Sequence, residues 1–340
     1  MRVLNYLELE DQLQRAGHGT AVAQQRRALA RTDADIDLLT SPWGTDGIRS
    51  FDLAHLNMFG PGSIAVARTA KRRGRPLVCH AHTTSEDFRD SFRGSNYLAK
   101  PLRRYLRWFY SQADLVLCPS EHTRSLLADY PIDAPIVPIT NGVDHDSLND
   151  HDELRTTYRE RYDLSGMVVF SVGNVFERKG LSTFCRVAQA TTYDFAWFGT
   201  YETGPFASPT VRRWVRNPPD NVTFTGWVEE KAGMFGAGDV LLFPAKEENQ
   251  GLAVLEAMAC GKAVVLSDIP VFEEYYEDGH DCLICSSEPE YREALDRLAD
   301  DPGLREQLGE NARETAANHS LDRVGERLLE AYRRAQRSHN

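Results

Sequence analysis

Twelve short apolar runs recur along the chain, separated by longer stretches whose apolar residues fall at helical spacing: Arg2–Tyr6, Ile36–Leu39, Leu53–Leu56, Leu77–His80, Leu115–Cys118, Ile136–Ile139, Val168–Val172, Phe195–Phe198, Val222–Phe224, Val240–Phe243, Ala263–Leu266 and Cys282–Cys285. Several lack polar alternation, the pattern of strands buried on both faces of a parallel sheet, so the repeat reads as βα units. Twelve such strands are too many for one ordinary doubly wound sheet, and two sheets of about six are expected. Length agrees, because 340 residues exceed a typical single core. Turn formers cluster at Thr140–Asp144, ahead of the polar stretch His145–Glu153. That places one domain at 1–144, a second at 145–319, and a final helical segment at 320–340 with Val324, Leu328, Leu329 and Tyr332 at helical spacing.

Charge narrows the function. A net charge of −11 argues against a general nucleic-acid binder, whose phosphate contacts need a basic face. The N-terminal MRVLNYLELED has no basic-then-apolar signal design, and no apolar run approaches the roughly 18 residues of a membrane span. The chain is therefore expected to work inside the cell. Six cysteines are scattered through apolar contexts and read as buried, reduced thiols. Cys282 and Cys285 form a lone C-x-x-C without a second pair, so no metal is expected there.

Four segments carry chemistry. In Pro244–Gly261, a strand passes through an acidic loop into a helix opening near Gly251 and Leu252, where free N–H groups and the positive helix end suit a pyrophosphate. Glu256, about one turn in, leans back toward that end and could reach a ribose hydroxyl, while Glu248 in the loop could accept from sugar hydroxyls. The alternative is an ordinary amphipathic helix after an acidic loop. In Phe170–Gly180, Arg178 and Lys179 stand just before a helix, where cations oppose the dipole, a placement that favours holding a leaving diphosphate over a solvated charge pair. In the loop Gln14–Thr20, Gly17 and Gly19 let backbone approach an anion, or merely make a turn; the spacing is not the dinucleotide fingerprint. In Cys79–Phe88, His82 comes just after a strand end, where open α/β sheets place ligands; His80 and His82 could also be structural.

These segments resemble family-4 retaining glycosyltransferases of the GT-B type. Glu248 and Glu256, with seven residues between and Gly251-Leu252 inside, look like the family's E-x7-E signature, although Gln250 stands where an aromatic is usual. The resemblance implies that Glu248 holds the donor sugar, Glu256 the ribose, and the Gly251-Leu252 amides the diphosphate. Phe170–Gly180 is similar to the G-R-x4-K-G clamp, with Lys179 on the lysine, Asn174 where arginine is commonest, and Arg178 as a substitute. Gly17 and Gly19 resemble the glycine loop that reaches the donor diphosphate, and His82 the histidine near the donor sugar and the attacking hydroxyl. The architecture implied by the resemblance is α/β, two Rossmann-like domains facing across a cleft, with the final helix crossing back to the first. The enzyme would move a hexose from a nucleotide-sugar, UDP-glucose or UDP-galactose, by same-face displacement with neither cofactor nor metal.

The runs AGHGTAVAQQRRAL, HTTSEDFRDSFRGSN and ENQGLAVLEA look like a subgroup that glycosylates diacylglycerol or glycosyl-diacylglycerol. Between Ser91 and Ala113 there is no acidic residue, whereas Arg93, Lys100, Arg103, Arg104 and Arg107 alternate with Tyr97, Leu98, Tyr105 and Trp108. Such a helix suits an anionic membrane surface, each cation contributing on the order of 1 kcal/mol. The same pattern also fits Leu102, Leu106 and Phe109 facing a core beneath solvated arginines. The expected partners are thus a nucleotide-sugar donor, a lipid or glycan acceptor and an anionic membrane, with the protein peripheral on the cytoplasmic side. A soluble or polyprenol-linked glycan acceptor, a non-catalytic partner subunit and a nucleotide-sugar epimerase are the alternatives.

Overall fold

The computed structural model describes residues 1–13, 17–44, 47–48, 50–205 and 207–339. The chain divides into two compact units. One comprises Met1–Glu86, Tyr97–Gly142 and Leu321–Asn340, and the other Asp87–Asn96 and Val143–Ser320. The division falls between Gly142 and Val143, and it assigns Asp87–Asn96 to the second unit, which sequence pattern does not foretell.

The first unit is a six-stranded parallel sheet. Its strands are β1 (Arg2–Tyr6), β2 (Asp37–Leu39), β3 (Leu53–Leu56), β4 (Leu77–His80), β5 (Leu115–Cys118) and β6 (Ile136–Pro138), in the order β2-β1-β3-β4-β5-β6. Strands β3, β4 and β5 are buried along their whole length, as unalternating apolar runs require. A two-residue antiparallel hairpin, Trp43–Gly44 with Gly47–Ile48, lies outside this sheet. One face of the sheet is closed by the helix Leu321–His339, whose Leu321, Val324, Leu328 and Tyr332 are buried with Val3, Leu53, Val78 and Leu115.

The second unit has β7 (Val168–Val172), β8 (Asp194–Phe198), β9 (Val222–Gly226), β10 (Val240–Phe243), β11 (Ala263–Ser267) and β12 (Leu283–Cys285), in the order β9-β8-β7-β10-β11-β12. The order reverses between β7 and β10. In open α/β sheets that switch point opens a crevice beyond the carboxyl ends of the strands, where ligands bind. The loops leaving β7 and β10 there are the ones that carry Lys179 and Glu248.

A buried polar seam runs through the first unit. Tyr332 Oη lies 2.8 Å from His55 Nδ1, and Asn5 donates to Gln25 Oε1 at 3.0 Å. Gln25 Nε2 is 3.0 Å from His80 Nδ1, and His82 Nε2 is 3.0 Å from the side-chain Oδ1 of Asn57, to which it donates. The His80 and His82 rings stack at 4.0 Å, and His55 stacks on His80 at 5.5 Å. Burial pulls the His55 pKa down to about 3, and burial with neighbouring imidazoles pulls His80 and His82 well below the usual histidine value. These rings are therefore neutral in the folded protein.

Each of the three histidines binds its proton more weakly when folded than when unfolded, where its pKa is about 6.5. The stability they contribute is present above pH 6.5 and is lost as pH falls, by up to roughly 1.4 kcal/mol per pH unit for each. Calorimetric Tm values taken from pH 7.5 to pH 5 are expected to drop steeply. A His55→Asn variant should show a shallower drop whatever its starting Tm.

Candidate active site

The site in the second unit is built where two loops meet at the switch point. Strand β7 ends at Val172, the chain turns at Gly173, and a short 3-10 turn, Glu177–Lys179, leads through Gly180 into the helix Leu181–Gln189. Gly180 has φ +79°, and a Cβ there would lie 1.9 Å from the Pro244 carbonyl oxygen. Only glycine allows this approach of the loop after β7 to the loop after β10. Lys246 N–H donates to Arg178 O at 2.8 Å and clasps the two loops together.

This clasp presses four charges into one cluster. Lys179 Nζ is 2.7 Å from Glu248 Oε1 and lies 4.8 Å above the centre of the Phe243 ring. Arg178 Nη1 contacts Asp87 Oδ1 at 2.8 Å, Glu248 Oε1 at 3.1 Å and the Glu247 carbonyl at 2.8 Å. Arg178 and Glu248 are only 9% and 8% exposed, so the cations are not the solvated pair that a helix start allows. Burial raises the Glu248 carboxyl, but Lys179 and Arg178 outweigh it and hold the pKa below the ordinary value. Burial likewise opposes the Arg178 charge, which Asp87 and Glu248 restore, leaving its pKa raised.

The second glutamate sits on the helix Leu252–Ala259, which Gly251 opens in the left-handed region at φ +84°. Gly251 and Leu252 thus stand at a helix amino end, where unpaired N–H groups and the dipole favour an anion. Glu256 is buried within this helix, and its Oε1 is 2.6 Å from Lys231 Nζ. Lys231 begins the short helix Lys231–Ala237. A pair of this kind fixes the orientation of the carboxylate.

Several sequence expectations change. Arg178, expected beside Lys179 as a second cation of the clamp, has its Nη1 on carboxylates and a carbonyl, as burial of its charge demands. Asn174, on the usual arginine position, accepts from Thr200 Oγ1 at 2.6 Å. Gly17 and Gly19 are not in a loop but in the first turn of the helix Gly17–Ala30, since the next ten residues, AVAQQRRALA, are strongly helical; Gln14–Ala16 lie outside the described residues. Helical N–H groups remain at that end, but backbone freedom at Gly19 is not used. His82 sits just after β4, donating to Asn57 within the polar seam.

The basic aromatic stretch forms the helix Ser95–Tyr110. Its two faces differ in exposure. Leu106 and Phe109 are buried in the core, with Leu102 packed against it. Outward stand Tyr97 (88% exposed), Leu98 and Trp108, with Lys100, Arg104 and Arg107 among them. Arg103 is engaged, donating to Asp129 O at 2.9 Å and lying 4.7 Å above the centre of the Tyr130 ring. Arg107 donates to Pro131 O at 3.2 Å. Sequence reasoning gave no role to Asp87 or Lys231; each gains meaning only from a partner 91 or 25 residues away.

All six cysteines are buried free thiols. Among the described residues no group of three or more His, Cys, Asp or Glu side chains is placed to hold a metal ion, and no helix is long and apolar enough to cross a membrane.

Comparison with known proteins agrees with this architecture. The Glycosyltransferase Family 4 description matches residues 45–147, and Glycosyl transferases group 1 matches residues 166–301. The chain is 30% identical over 338 residues to the processive diacylglycerol alpha-glucosyltransferase of Acholeplasma laidlawii, covering 98% of each. It is 24% identical over 272 residues to the alpha-galactosylglucosyldiacylglycerol synthase of Streptococcus pneumoniae, covering 77% of this chain and 72% of that protein. The sucrose-phosphate synthase structure from Thermosynechococcus elongatus superposes with a TM-score of 0.80 at 17% identity, covering 98% of each chain, so the fold is GT-B. With two Rossmann-like units, the glutamate-bearing helix and full-length similarity to a sugar transferase, the chain belongs to the family-4 glycosyltransferases.

Proposed function

We propose that the chain transfers a hexose, with retention, from a UDP-sugar to diacylglycerol or a glycosyl-diacylglycerol at an anionic membrane surface. The observation that carries the lipid acceptor is the similarity, along 98% of both chains, to a diacylglycerol alpha-glucosyltransferase. The cluster at the switch point supports the chemistry. Lys179, paired in the free protein with Glu248, is the cation placed to take the charge that builds on a departing diphosphate. Diphosphate engagement would then release Glu248 from Lys179 while Arg178 still holds it, leaving its carboxylate aligned for sugar hydroxyls. Gly251 and Leu252 offer amides to the diphosphate, and Glu256 accepts from the ribose.

Retention comes from same-face displacement, in which the departing phosphate oxygen takes the acceptor's proton. Glu248 orients the sugar and forms no glycosyl-enzyme bond, unlike the nucleophile of a retaining glycosidase. His82, fixed by Asn57, is a neutral imidazole that can exchange a hydrogen bond with a hydroxyl. Exposed Tyr97, Leu98 and Trp108, interleaved with Lys100 and Arg104, form the face that meets the membrane, so the protein is peripheral.

Lys179→Ala and Glu248→Ala are each expected to lower kcat by about 10²–10³, by analogy with lost oxyanion donors, with circular dichroism unchanged. Nucleoside diphosphate release from UDP-glucose and UDP-galactose should require diacylglycerol or glycosyl-diacylglycerol vesicles, yield a matching glycolipid by mass spectrometry and survive chelation of divalent cations. Release stimulated by a soluble glycan instead would replace the lipid acceptor. Reversing Lys100 and Arg104 to glutamate should abolish flotation with anionic vesicles, each lost cation removing on the order of 1 kcal/mol and each new anion adding repulsion.

A further inference from the structure

Asp87 lies outside both loops of the donor site, yet it reaches into the cluster. Its carboxylate meets Arg178 Nη1 at 2.8 Å, and Arg178 N–H donates to Asp90 O at 3.2 Å, so the segment Asp87–Asn96 is tied to Arg178 by side chain and backbone. The groups whose charges act on Asp87 are Arg178, Glu248, Lys179 and Glu247. Arg178 is itself buried, with Nε unpartnered, so its charge is answered through Nη1 by Asp87 and Glu248. Counting formal charges in the contacts, Arg178 and Lys179 are balanced by Asp87 and Glu248, and the cluster is neutral before any ligand arrives.

A neutral cluster holds an anion less tightly than a cationic one. We propose that Asp87 is a positioning residue of the donor site that, acting through Arg178, sets how tightly the nucleoside diphosphate is held and so lets product leave. The proposal rests on the donor-site reading of Lys179 above. Without the Asp87 charge, Arg178 would turn its full charge toward Glu248 and the neighbouring diphosphate. Burial pushes the Asp87 carboxyl up to about 6, with Arg178 lowering and Glu248 raising it, so the charge that loosens the ligand is present at pH 7.5 and fades below about pH 6.

The test is calorimetric binding of UDP at pH 7.5 by the full chain and its D87N, R178Q, D87N/R178Q and K179A variants. Asn keeps an acceptor for Arg178 and removes only charge. D87N is expected to bind UDP about five- to tenfold more tightly than wild type, the size of one partly screened charge. R178Q should bind more weakly, and the double variant, neutral again, should return near wild type. At pH 5.5 the gap between wild type and D87N should shrink, because Asp87 is then largely protonated. A side chain that merely supports the fold would weaken binding on substitution, and would weaken it further in the double variant. Equal or weaker binding by D87N, with K179A impaired, overturns the Asp87 assignment alone. K179A binding as wild type does overturns the donor-site reading, as does a wild type that binds none of UDP, GDP and ADP; the assignment then falls with it.

Discussion

An arginine can be buried only where its charge is matched nearby, and the second unit is arranged around meeting that condition at Arg178. Its partners come from two places in the sequence: Asp87, and the adjacent Glu247 (through its carbonyl) and Glu248. To bring them together, the loop after β7 must lie against the loop after β10, and Gly180 is the position that permits it. Once this contact is made, Lys179 has little choice but to face Glu248, with the Phe243 ring beneath its ammonium. The Lys179–Glu248 pair is therefore a by-product of satisfying a neighbour, and removing one ion of the cluster leaves another buried without its counter-charge.

The histidine seam in the first unit solves the opposite problem. Its polar atoms are made neutral and linked by amides, so no net charge is left inside the sheet's flank. The two units thus bury polar groups in two ways: by pairing opposite charges around Arg178, and by keeping imidazoles neutral and tying them to amides.

Much of this was legible in the residues. Unalternating runs such as Leu115–Cys118 and Val240–Phe243 could be buried strands of a parallel sheet and little else, and they fall where the runs place them. Ends drift by one or two residues, as at Asp37 and Pro138, because the last ladder bond depends on a neighbour rather than on local pattern. The E-x7-E spacing and Lys179 were visible because each is local to one loop or one helix. The partners Asp87 and Lys231 were not visible, since an ion pair across 91 or 25 residues leaves no periodicity to read. Arg178 and Lys179 were visible as adjacent cations, but their convergence on Glu248 Oε1 was not, because Glu248 stands 70 residues beyond Arg178.

The helix Leu321–His339 completes the core of the first unit, although the whole of Val143–Ser320 separates it from the strands it covers. This order has a consequence during synthesis. Domains generally fold as units while the chain is emerging from the ribosome. The second unit has most of its residues in one continuous stretch and can consolidate early, but the first must wait with Val3, Leu53, Val78 and Leu115 uncovered until Leu321–His339 has been made. A chain stalled before Leu321 would therefore carry a consolidated second unit and an open, apolar sheet in the first, so that quality control would be recognising the unit whose synthesis began earliest.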